Sequence, residues 1–438
     1  MSAGRDAGVP GGAAGTTVTA PAHVPGGPVG ASLADADLLL ARADVLAAHS
    51  ASPTGIERVY LSPEHARAHE VAGGWMREAG LRTWQDAAGN LCGRLEGERD
   101  GLPALLLGSH LDTVPGAGRY DGILGVLAAV AVAGRVTPGT LPFALEVVAF
   151  GDEEGTRFGT TLLGSRALAG TWDPAWAALT DRDGITLAEA ARTFGLDPDR
   201  IPDAARTPES LVGYLEAHIE QGPLLEEAGR ALGLVTSIAA ARRFELTLTG
   251  EARHCATPWH RRRDALTGAA EAVLTVERVA RERGCPATVG RIEARPGAVN
   301  VIPGVATFSL DLRAASDAER DATWDVLHAE LERLAADRGL VLDVTPTHEA
   351  PAVHCAPHLT DALRAGVAAT GDLDPPSLLS VAGHDAMAVA ALTDVAMLFV
   401  RCAGGISHHA DESVTREDVA AAVDALHAAV LALAERAA

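Results

Sequence analysis

Two short apolar runs, each followed directly by polar and acidic residues, are the clearest pattern along this chain. Residues 104–107 lead into a loop that contains His110 and Asp112, and residues 144–150 lead into Glu153. Both runs are short, and they are apolar throughout except for Glu146 in the second, which is typical of strands that are buried on both faces. Open α/β sheets place their ligand sites at the carboxyl ends of such strands, so we expect the functional site in these two loops.

The segments around these runs predict alternating helices and strands. An apolar helix over 123–133 joins the two runs, and strand, helix and strand at this spacing indicate a βαβ unit with a parallel sheet. The pattern further predicts a helix over 38–48 capped by Asp35 or Asp37, helices over 63–78, 187–194, 358–370 and 416–437, a hairpin over 84–95, and strands over 214–220, 377–381 and 395–400. This alternation predicts an α/β fold.

The pattern changes between residues 232 and 346. Strands are predicted over 244–249, 289–294, 306–313 and 341–345, with helices over 263–283 and 318–338. This β-α-β-β-α-β order is that of a ferredoxin-like α+β domain. We therefore expect an inserted domain over 232–346 within a discontinuous first domain made of 33–231 and 347–438. Residues 1–32, which are rich in Gly, Ala, Pro and Thr, are expected to form a disordered tail.

The composition sets limits on partners and compartment. A chain of 438 residues with 47% hydrophobic residues is long enough for two cores. The net charge of -22 argues against nucleic acid and anionic membranes as partners. The five cysteines form no C-x-x-C pair, which favours free thiols in a reducing cytosol, and no apolar run approaches the length of a membrane span. We expect a cytoplasmic enzyme.

His110, Asp112 and Asp121 form the first chemical motif. A single His after a strand is more often structural than a ligand, but a His-x-Asp pair with a further Asp in a Gly-rich turn favours a divalent metal site. Asp112 lies two residues beyond His110 along an extended chain, where it can fix the tautomer of the ring. Asp121, between Tyr120 and Gly122, is placed to bridge two ions.

Four further acid and histidine positions are informative only beside this motif. Glu153 and Glu154, taken alone, would be interpreted as an acidic helix N-terminus. Metal-assisted hydrolysis, however, needs one carboxylate to bind metal and another to take a proton from water. His218 alone would be an interior residue of a half-buried strand, and His408 alone would belong to an ordinary surface loop.

Together, these segments resemble the dinuclear metallohydrolases of the aminoacylase and carboxypeptidase G group, from about residue 35 to the C-terminus. Within that group the chain most resembles the branch of N-carbamoyl-L-amino-acid hydrolases, allantoate amidohydrolases and β-ureidopropionases. Residues 153–158 resemble the branch's E-E-G-x-R-F segment, and residues 220–223 resemble its E-Q-G-P segment. The resemblance implies a metallopeptidase-like mixed sheet flanked by helices, with the inserted ferredoxin-like domain serving as a lid and dimerisation domain.

The resemblance also implies roles for the motif residues. One divalent ion would be held by His110, Asp121 and His218, and a second by Asp121, Glu154 and His408, so that each subunit holds two ions of zinc or manganese, or alternatively cobalt. Glu153 would be the general base acting on the attacking water, and Asp112 would orient His110. His254 would polarise the scissile carbonyl, often from the partner subunit, which implies a homodimer. The turn after His254 is shorter than the family's H-A-G-x-x-P-M, so its shape is expected to differ.

Four more residues would contact the substrate by the same resemblance. Gln221 lies in the E-Q-G-P segment, and His384 lies in a Gly-His-Asp-Ala segment of the branch. Asn300 and Arg313 match the pair that binds the substrate carboxylate. Arginine suits this task because its planar guanidinium meets a carboxylate with two hydrogen bonds, although an Arg at a strand end is usually a surface residue.

The resemblance implies a metal-dependent amidohydrolase that cleaves the ureido C–N bond of a small acid, releasing ammonia and carbon dioxide. Allantoate is slightly favoured over N-carbamoyl-L-amino acids as the substrate. An N-acyl-amino-acid deacylase or dipeptidase of the wider family is the first alternative, and the E-E-G-x-R-F and E-Q-G-P segments count against it. A catalytically inactive relative would lack a metal ligand or the base, and none is missing from the sequence.

Overall fold

The computed structural model describes residues 29–437 of the chain, so most of the predicted disordered tail lies outside the described residues. The first half contains, in order, α1 Val29–Ala47, α2 Pro63–Glu78, β1 Arg82–Gln85, β2 Leu91–Leu95, β3 Ala104–His110, α3 Ile123–Arg135, β4 Ala144–Phe150, α4 Leu163–Leu168, α5 Leu187–Phe194, β5 Leu211–Ile219, α6 Leu224–Glu227 and β6 Leu232–Ile238. Ser62 caps α2 by accepting a hydrogen bond from the amide of His65, and a proline occupies the first turn, as the sequence predicts.

The second half begins with the elements of a separate sheet. These are β7 Ala240–Thr249, β8 Arg253–His254, α7 Ala265–Arg283, β9 Ala287–Thr288, β10 Ile292–Arg295, β11 Val301–Ile302, β12 Val305–Ala314, α8 Asp317–Asp337 and β13 Val341–Ala350. The chain then continues through β14 Val353–His354, α9 Pro357–Ala369, β15 Ser377–Ser380, α10 Ala386–Val389, β16 Val395–Val400 and α11 Arg416–Ala437.

The larger sheet is mixed, as predicted. Among the described residues its strands lie in the order β1-β2-β4-β3-β5-β16-β6-β14, with β15 beside β6. Strands β4, β3, β5 and β16 are parallel to their neighbours within this group, whereas β2 runs antiparallel to β4 and β6 runs antiparallel to β16. Strand β15 is parallel to β6. The predicted βαβ unit is confirmed, because β3 and β4 pair in parallel on either side of α3. Four parallel strands therefore end at one edge of the sheet.

The smaller sheet has the strand order β10-β12-β7-β13, with β9 beside β12, and its pairs are antiparallel. Helices α7 and α8 pack on it and on each other around their own apolar core, which includes Phe308, Leu246 and Leu327. This order and helix placement are those of the ferredoxin-like arrangement predicted from the sequence. We call residues 240–350 the inserted domain.

Two boundaries differ from the sequence predictions. Strand β6 pairs with β16 and β15 of the larger sheet, so the smaller sheet begins at Ala240 rather than at residue 232, and it continues to Ala350 rather than to 346. Helix α1 begins at Val29, before the predicted cap at Asp35 or Asp37 and inside the segment expected to be disordered. Alanine and leucine favour helix there, and Asp35 instead forms an ion pair with Arg135 at 2.7 Å.

Candidate active site

The ends of the parallel strands bring the predicted metal ligands together. His110 is the last residue of β3, Glu153 and Glu154 follow β4, and His218 lies near the end of β5. His408 lies in the loop after β16, and Asp121 precedes α3. Three groups of these side chains have ligand atoms within 4.8 Å of one another: His110, Asp121 and His218; Asp121, Glu154 and His408; and His110, Glu153 and Glu154.

Asp121 is the centre of this cluster. Its Oδ1 atom lies 3.1 Å from Nε2 of His218 and 3.7 Å from Nε2 of His110. Its Oδ2 atom lies 3.0 Å from Nε2 of His408, which in turn lies 3.4 Å from Oε1 of Glu154. The two oxygens of one buried carboxylate therefore face two different groups of ligands. That is the geometry required of a carboxylate that bridges two ions.

The loops that present these groups are held in unusual conformations. Among the described residues, the non-glycine residues with a positive φ are Leu61, Asp152, Leu162, Gln221 and His408, and three of these five are in or next to the cluster. Such conformations cost free energy and are found mostly where function requires them. Gly122 has φ +71°, and a Cβ there would lie 2.5 Å from the ring of His110, so only glycine fits between Asp121 and α3.

Asp112 supports the cluster in a different way from the one predicted. Its backbone carbonyl, not its carboxylate, accepts a hydrogen bond from Nδ1 of His110 at 3.0 Å, while the carboxylate is 3.7 Å from that nitrogen. The carboxylate instead accepts hydrogen bonds from the backbone amides of Glu153 and Glu154, at 3.1 and 3.3 Å. Asp112 thus connects the loop after β3 to the loop after β4.

Glu412 and Ser407, which were not predicted from the sequence to be site residues, hold Asp121 in place. The carboxylate of Glu412 is buried and accepts hydrogen bonds from the backbone amides of Tyr120 and Asp121, at 2.6 and 3.1 Å. Ser407 donates its hydroxyl to Oδ2 of Asp121 at 2.8 Å. Both lie close to His408 in the loop after β16. This closeness to a candidate ligand along the chain is the only sequence feature that could have identified them as site residues.

Burial and crowding change the proton affinities of the cluster. Burial, followed by the charges of Glu154 and Asp385, raises the pKa of Glu153 well above its usual range. Burial also raises the pKa of Glu154 to about 7. Burial by itself lowers the pKa of His218, but the hydrogen bond and charge of Asp121 outweigh it and raise that pKa to about 9. The hydrogen bond between His408 and Asp121 raises the pKa of His408 to about 9.

These shifts predict that the metal-free protein loses stability as pH rises from about 5 to about 9. The folded chain keeps a proton on Glu154 up to about pH 7 and on His218 and His408 up to about pH 9, whereas the unfolded chain releases them near 4.5 and 6.5. The folded state thus binds more protons in this window, so the free energy of unfolding falls as pH rises. The lowered pKa of Asp121 acts oppositely only below 3.8. Burial also lowers the pKa of several other histidines, which act oppositely only below 6.5, so the decline should be clearest between about pH 7 and 9.

Thermal unfolding of the metal-free protein at several pH values across this window checks the prediction. The metal-loaded protein is the control, because a bound cation replaces the protons and should flatten the decline. A melting temperature of the metal-free protein that rises steadily between about pH 5 and 9 would show that these protonation states are wrong.

The predicted substrate residues do not all lie together. Gln221 and Arg313 line the cavity of about 740 Å³ that also contains Asp121, Glu153 and His408. Gln221 donates from Nε2 to Oδ2 of Asp121 at 3.0 Å, and its Oε1 atom has no hydrogen-bond partner. Arg313 comes from β12 of the inserted domain. These two positions fit contact with a molecule in the cavity.

His254 and Asn300 lie apart from this cavity. Strands β8 and β11 pair with each other, so that the amide of Cys255 donates to the carbonyl of Asn300 at 2.9 Å, and both His254 and Asn300 are exposed. Neither residue lines the cavity that contains Arg313. The sequence-based pairing of Asn300 with Arg313 at one carboxylate is therefore not observed within a single chain.

His384 also differs from its predicted placement. Its side chain is buried, its Nε2 lies 2.7 Å from the hydroxyl of Ser380, and its ring packs edge-on against His218 with 4.5 Å between centroids. The neighbouring Gly383 lines the cavity, but His384 does not. The structure therefore gives His384 a position that supports His218 rather than one that contacts substrate, because the loop turns its ring toward β5.

Comparison with known proteins agrees with the fold and the motifs. Residues 106–432 match the model of Peptidase family M20/M25/M40, so the chain belongs to this family of hydrolases. The chain is 40% identical over 424 residues to allantoate deiminase of Arabidopsis thaliana, which covers 88% of this chain and 80% of that protein. It is 41% identical over 385 residues to N-carbamoyl-L-amino acid amidohydrolase of Geobacillus stearothermophilus, covering 87% and 94%.

A solved structure shows the same architecture. An amidase of the hydantoinase/carbamoylase family from Burkholderia multivorans superposes with a TM-score of 0.83 at 32% identity, covering 91% of this chain and 98% of that one. The predicted resemblance and fold class are thereby confirmed. No helix within residues 29–437 is both long and apolar enough to cross a membrane.

Proposed function

We propose that this chain hydrolyses the ureido or carbamoyl C–N bond of a small carboxylate substrate, either allantoate or an N-carbamoyl-L-amino acid, with release of ammonia and carbon dioxide. The observation that carries the proposal is the position of Asp121 between two groups of ligands, with Glu153 beside them at the wall of the same cavity. The relatives that match most of this chain are named for such reactions. An N-acyl-amino-acid deacylase or dipeptidase is not favoured.

The donor set fits two divalent ions. Three imidazole nitrogens and three carboxylates converge in a small, mostly buried volume, and this mixture suits zinc, manganese or cobalt. His110, Asp121 and His218 would hold one ion, and Asp121, Glu154 and His408 the other. Such ions, when bound, polarise a carbonyl oxygen and lower the pKa of a water molecule bound to them to about 7. Burial, and after it the charges of neighbouring carboxylates, raises the pKa of Glu153 and of Glu154, which is the setting in which a bound cation would be most favourable.

Glu153 would move the proton. Its carboxylate is mostly buried, lies 4.0 Å from Nε2 of His110, and lines the cavity, while the bond from its amide to Asp112 fixes its backbone. Glu153 would accept a proton from the attacking water and then deliver it to the leaving nitrogen. Burial raises the pKa of this carboxyl group, which makes the carboxylate a stronger base for the first of these two proton transfers.

Substrate would be positioned from both domains. Arg313 would bind the substrate carboxylate through its guanidinium, and the free Oε1 of Gln221 would accept a hydrogen bond from the ureido nitrogen. His254 and Asn300, exposed side by side on the inserted domain, would serve the cavity of a partner subunit, which requires a homodimer. We also propose a cytoplasmic location, since the five cysteines form no disulfide.

A substrate panel tests the proposal. The metal-free protein would be reconstituted separately with manganese, zinc and cobalt. Ammonia release would be measured from allantoate, N-carbamoyl-L-amino acids and ureidopropionate. Release of free amino acid would be measured from a dipeptide and an N-acetyl amino acid as controls, because their hydrolysis yields no ammonia. We expect metal-dependent ammonia release from at least one ureido acid and at least about 100-fold slower cleavage of the controls. Faster cleavage of the dipeptide or the N-acetyl amino acid would support the deacylase alternative instead.

A further inference from the structure

The cavity that contains the predicted metal ligands is also lined by a group of basic residues. Arg166 enters it from α4 of the larger domain, whereas Arg243, Arg313 and His348 enter from the inserted domain. Burial, together with the charges of Arg243, Arg313 and Arg166, lowers the pKa of His348, which places these groups near one another. Cations gathered around a cavity repel each other, and an anion between them removes that cost.

Two of the three arginines share one carboxylate. Arg313 donates from Nε and Nη2 to the two oxygens of Asp311, at 3.1 and 3.0 Å. Arg243 donates from Nε to Oδ2 of the same carboxylate at 2.9 Å. The three guanidinium groups carry three positive charges against the one negative charge of Asp311, so two positive charges of this group are not compensated by that carboxylate.

Among the residues that the structure describes, 29–437, Arg166 is the arginine of the three that lacks an acidic partner. Its Nε atom is buried and makes no hydrogen bond, and burial alone lowers its pKa, with no carboxylate acting against that effect. Its guanidinium lies over the ring of Trp176, with 5.5 Å between its Cζ atom and the ring centroid, and this contact fixes its plane. A half-buried guanidinium with an unused donor is unfavourable unless a ligand supplies the acceptor.

We infer that Arg166 determines specificity by binding a second anionic group of the substrate, so that the preferred substrate is a ureido acid with a carboxylate side chain. The inference rests on the proposed ureido hydrolysis. Arg313 would bind the first carboxylate, and Arg166, on the opposite domain, would bind the second. Two substrate carboxylates match the two uncompensated positive charges, and a cavity of about 740 Å³ accommodates a small diacid.

Two substrates of equal size test the inference, because N-carbamoyl-L-aspartate and N-carbamoyl-L-asparagine differ only in a carboxylate and its neutral amide. We expect the wild-type protein to prefer the aspartate compound by about 30-fold in kcat/KM, since a charge-assisted hydrogen bond to the second carboxylate stabilises the bound substrate by about that factor. Arg166→Met should reduce this ratio to about 3 or less, and Arg166→Lys should give an intermediate ratio. Arg333→Met, which removes an arginine 71% exposed on α8, is the control and should keep the wild-type ratio.

If Arg166→Met lowers kcat/KM equally for both substrates, the ratio stays unchanged. That result would overturn the inference and would indicate a structural role for Arg166. A wild-type protein that does not prefer the aspartate compound would overturn it as well. If no ureido acid is cleaved at all, the proposed function fails, and calorimetric binding to the Glu153→Gln variant decides the inference separately. The inference would be supported if the Glu153→Gln variant binds the aspartate compound at least about tenfold more tightly than the asparagine compound, and if the Glu153→Gln, Arg166→Met double variant loses this preference. Equal binding of the two compounds by the Glu153→Gln variant would overturn it.

Discussion

Replacing Glu153 with glutamine should reduce kcat by about 10³-fold or more while leaving the metal content of the protein unchanged. Glutamine has the size of glutamate but cannot accept a proton, so the variant removes the proposed base and little else. The ligand groups around Asp121 do not require Glu153, because the two groups that share Asp121 are completed by His110, His218, Glu154 and His408. Steady-state ammonia release and elemental analysis of the same preparation measure both quantities.

The control for this variant is Glu332→Gln, which makes the same change at a residue 63% exposed on α8 and should leave both quantities unaltered. Residual activity within about tenfold of wild type would remove Glu153 from the role of base. Loss of metal from the variant would instead identify Glu153 as a metal ligand. Such a role is compatible with the structure, because ligand atoms of Glu153, His110 and Glu154 lie within 4.8 Å of one another.

Replacing Asp121 with asparagine should have the second large effect, on the metal content itself. The aspartate offers one oxygen to His110 and His218 and the other to His408, whereas asparagine offers one oxygen and an amide nitrogen that repels a cation. We expect the variant to hold at most one ion per chain and to lose about 10³-fold or more in kcat/KM. Elemental analysis after dialysis and ammonia release check the two expectations.

Asp411→Asn is the matched control, because Asp411 lies in the same loop as His408 but its side chain is 77% exposed. The control should retain two ions and full activity. Circular dichroism and thermal unfolding of both metal-free variants show whether a loss of metal follows from a loss of folding. A folded Asp121→Asn variant that still holds two ions would contradict the bridging role.

The sequence predicted the elements around the site well because apolar runs and turn residues bound them. Strands β4 and β16 and helices α5 and α11 have the predicted bounds, and the ends of β3 and β4 present the predicted ligands. Local pattern was sufficient here, since a mainly apolar run of six or seven residues between polar loops is too short for a typical helix and fits a buried strand. Residue type alone then indicated the chemistry of the loops.

Features that depend on distant contacts could not be predicted. Strand β6 was not predicted from the sequence, which placed its residues in the inserted domain, and only its pairing with β16 and β15 assigns it to the larger sheet. The carboxylate of Asp112 bonds to amides some 40 residues away rather than to the nearby His110. The absence of a partner for Arg166 likewise depends on what packs around α4, which no local pattern records.

Anomalous X-ray diffraction from crystals of the manganese- or zinc-loaded protein would show how many ions each chain holds and which residues bind them. We expect two anomalous peaks per chain, one on either side of the Asp121 carboxylate. The first should lie at bonding distance, about 2.0–2.2 Å, from His110 and His218, and the second at that distance from Glu154 and His408. A single peak, or peaks that do not contact Asp121, would contradict the account.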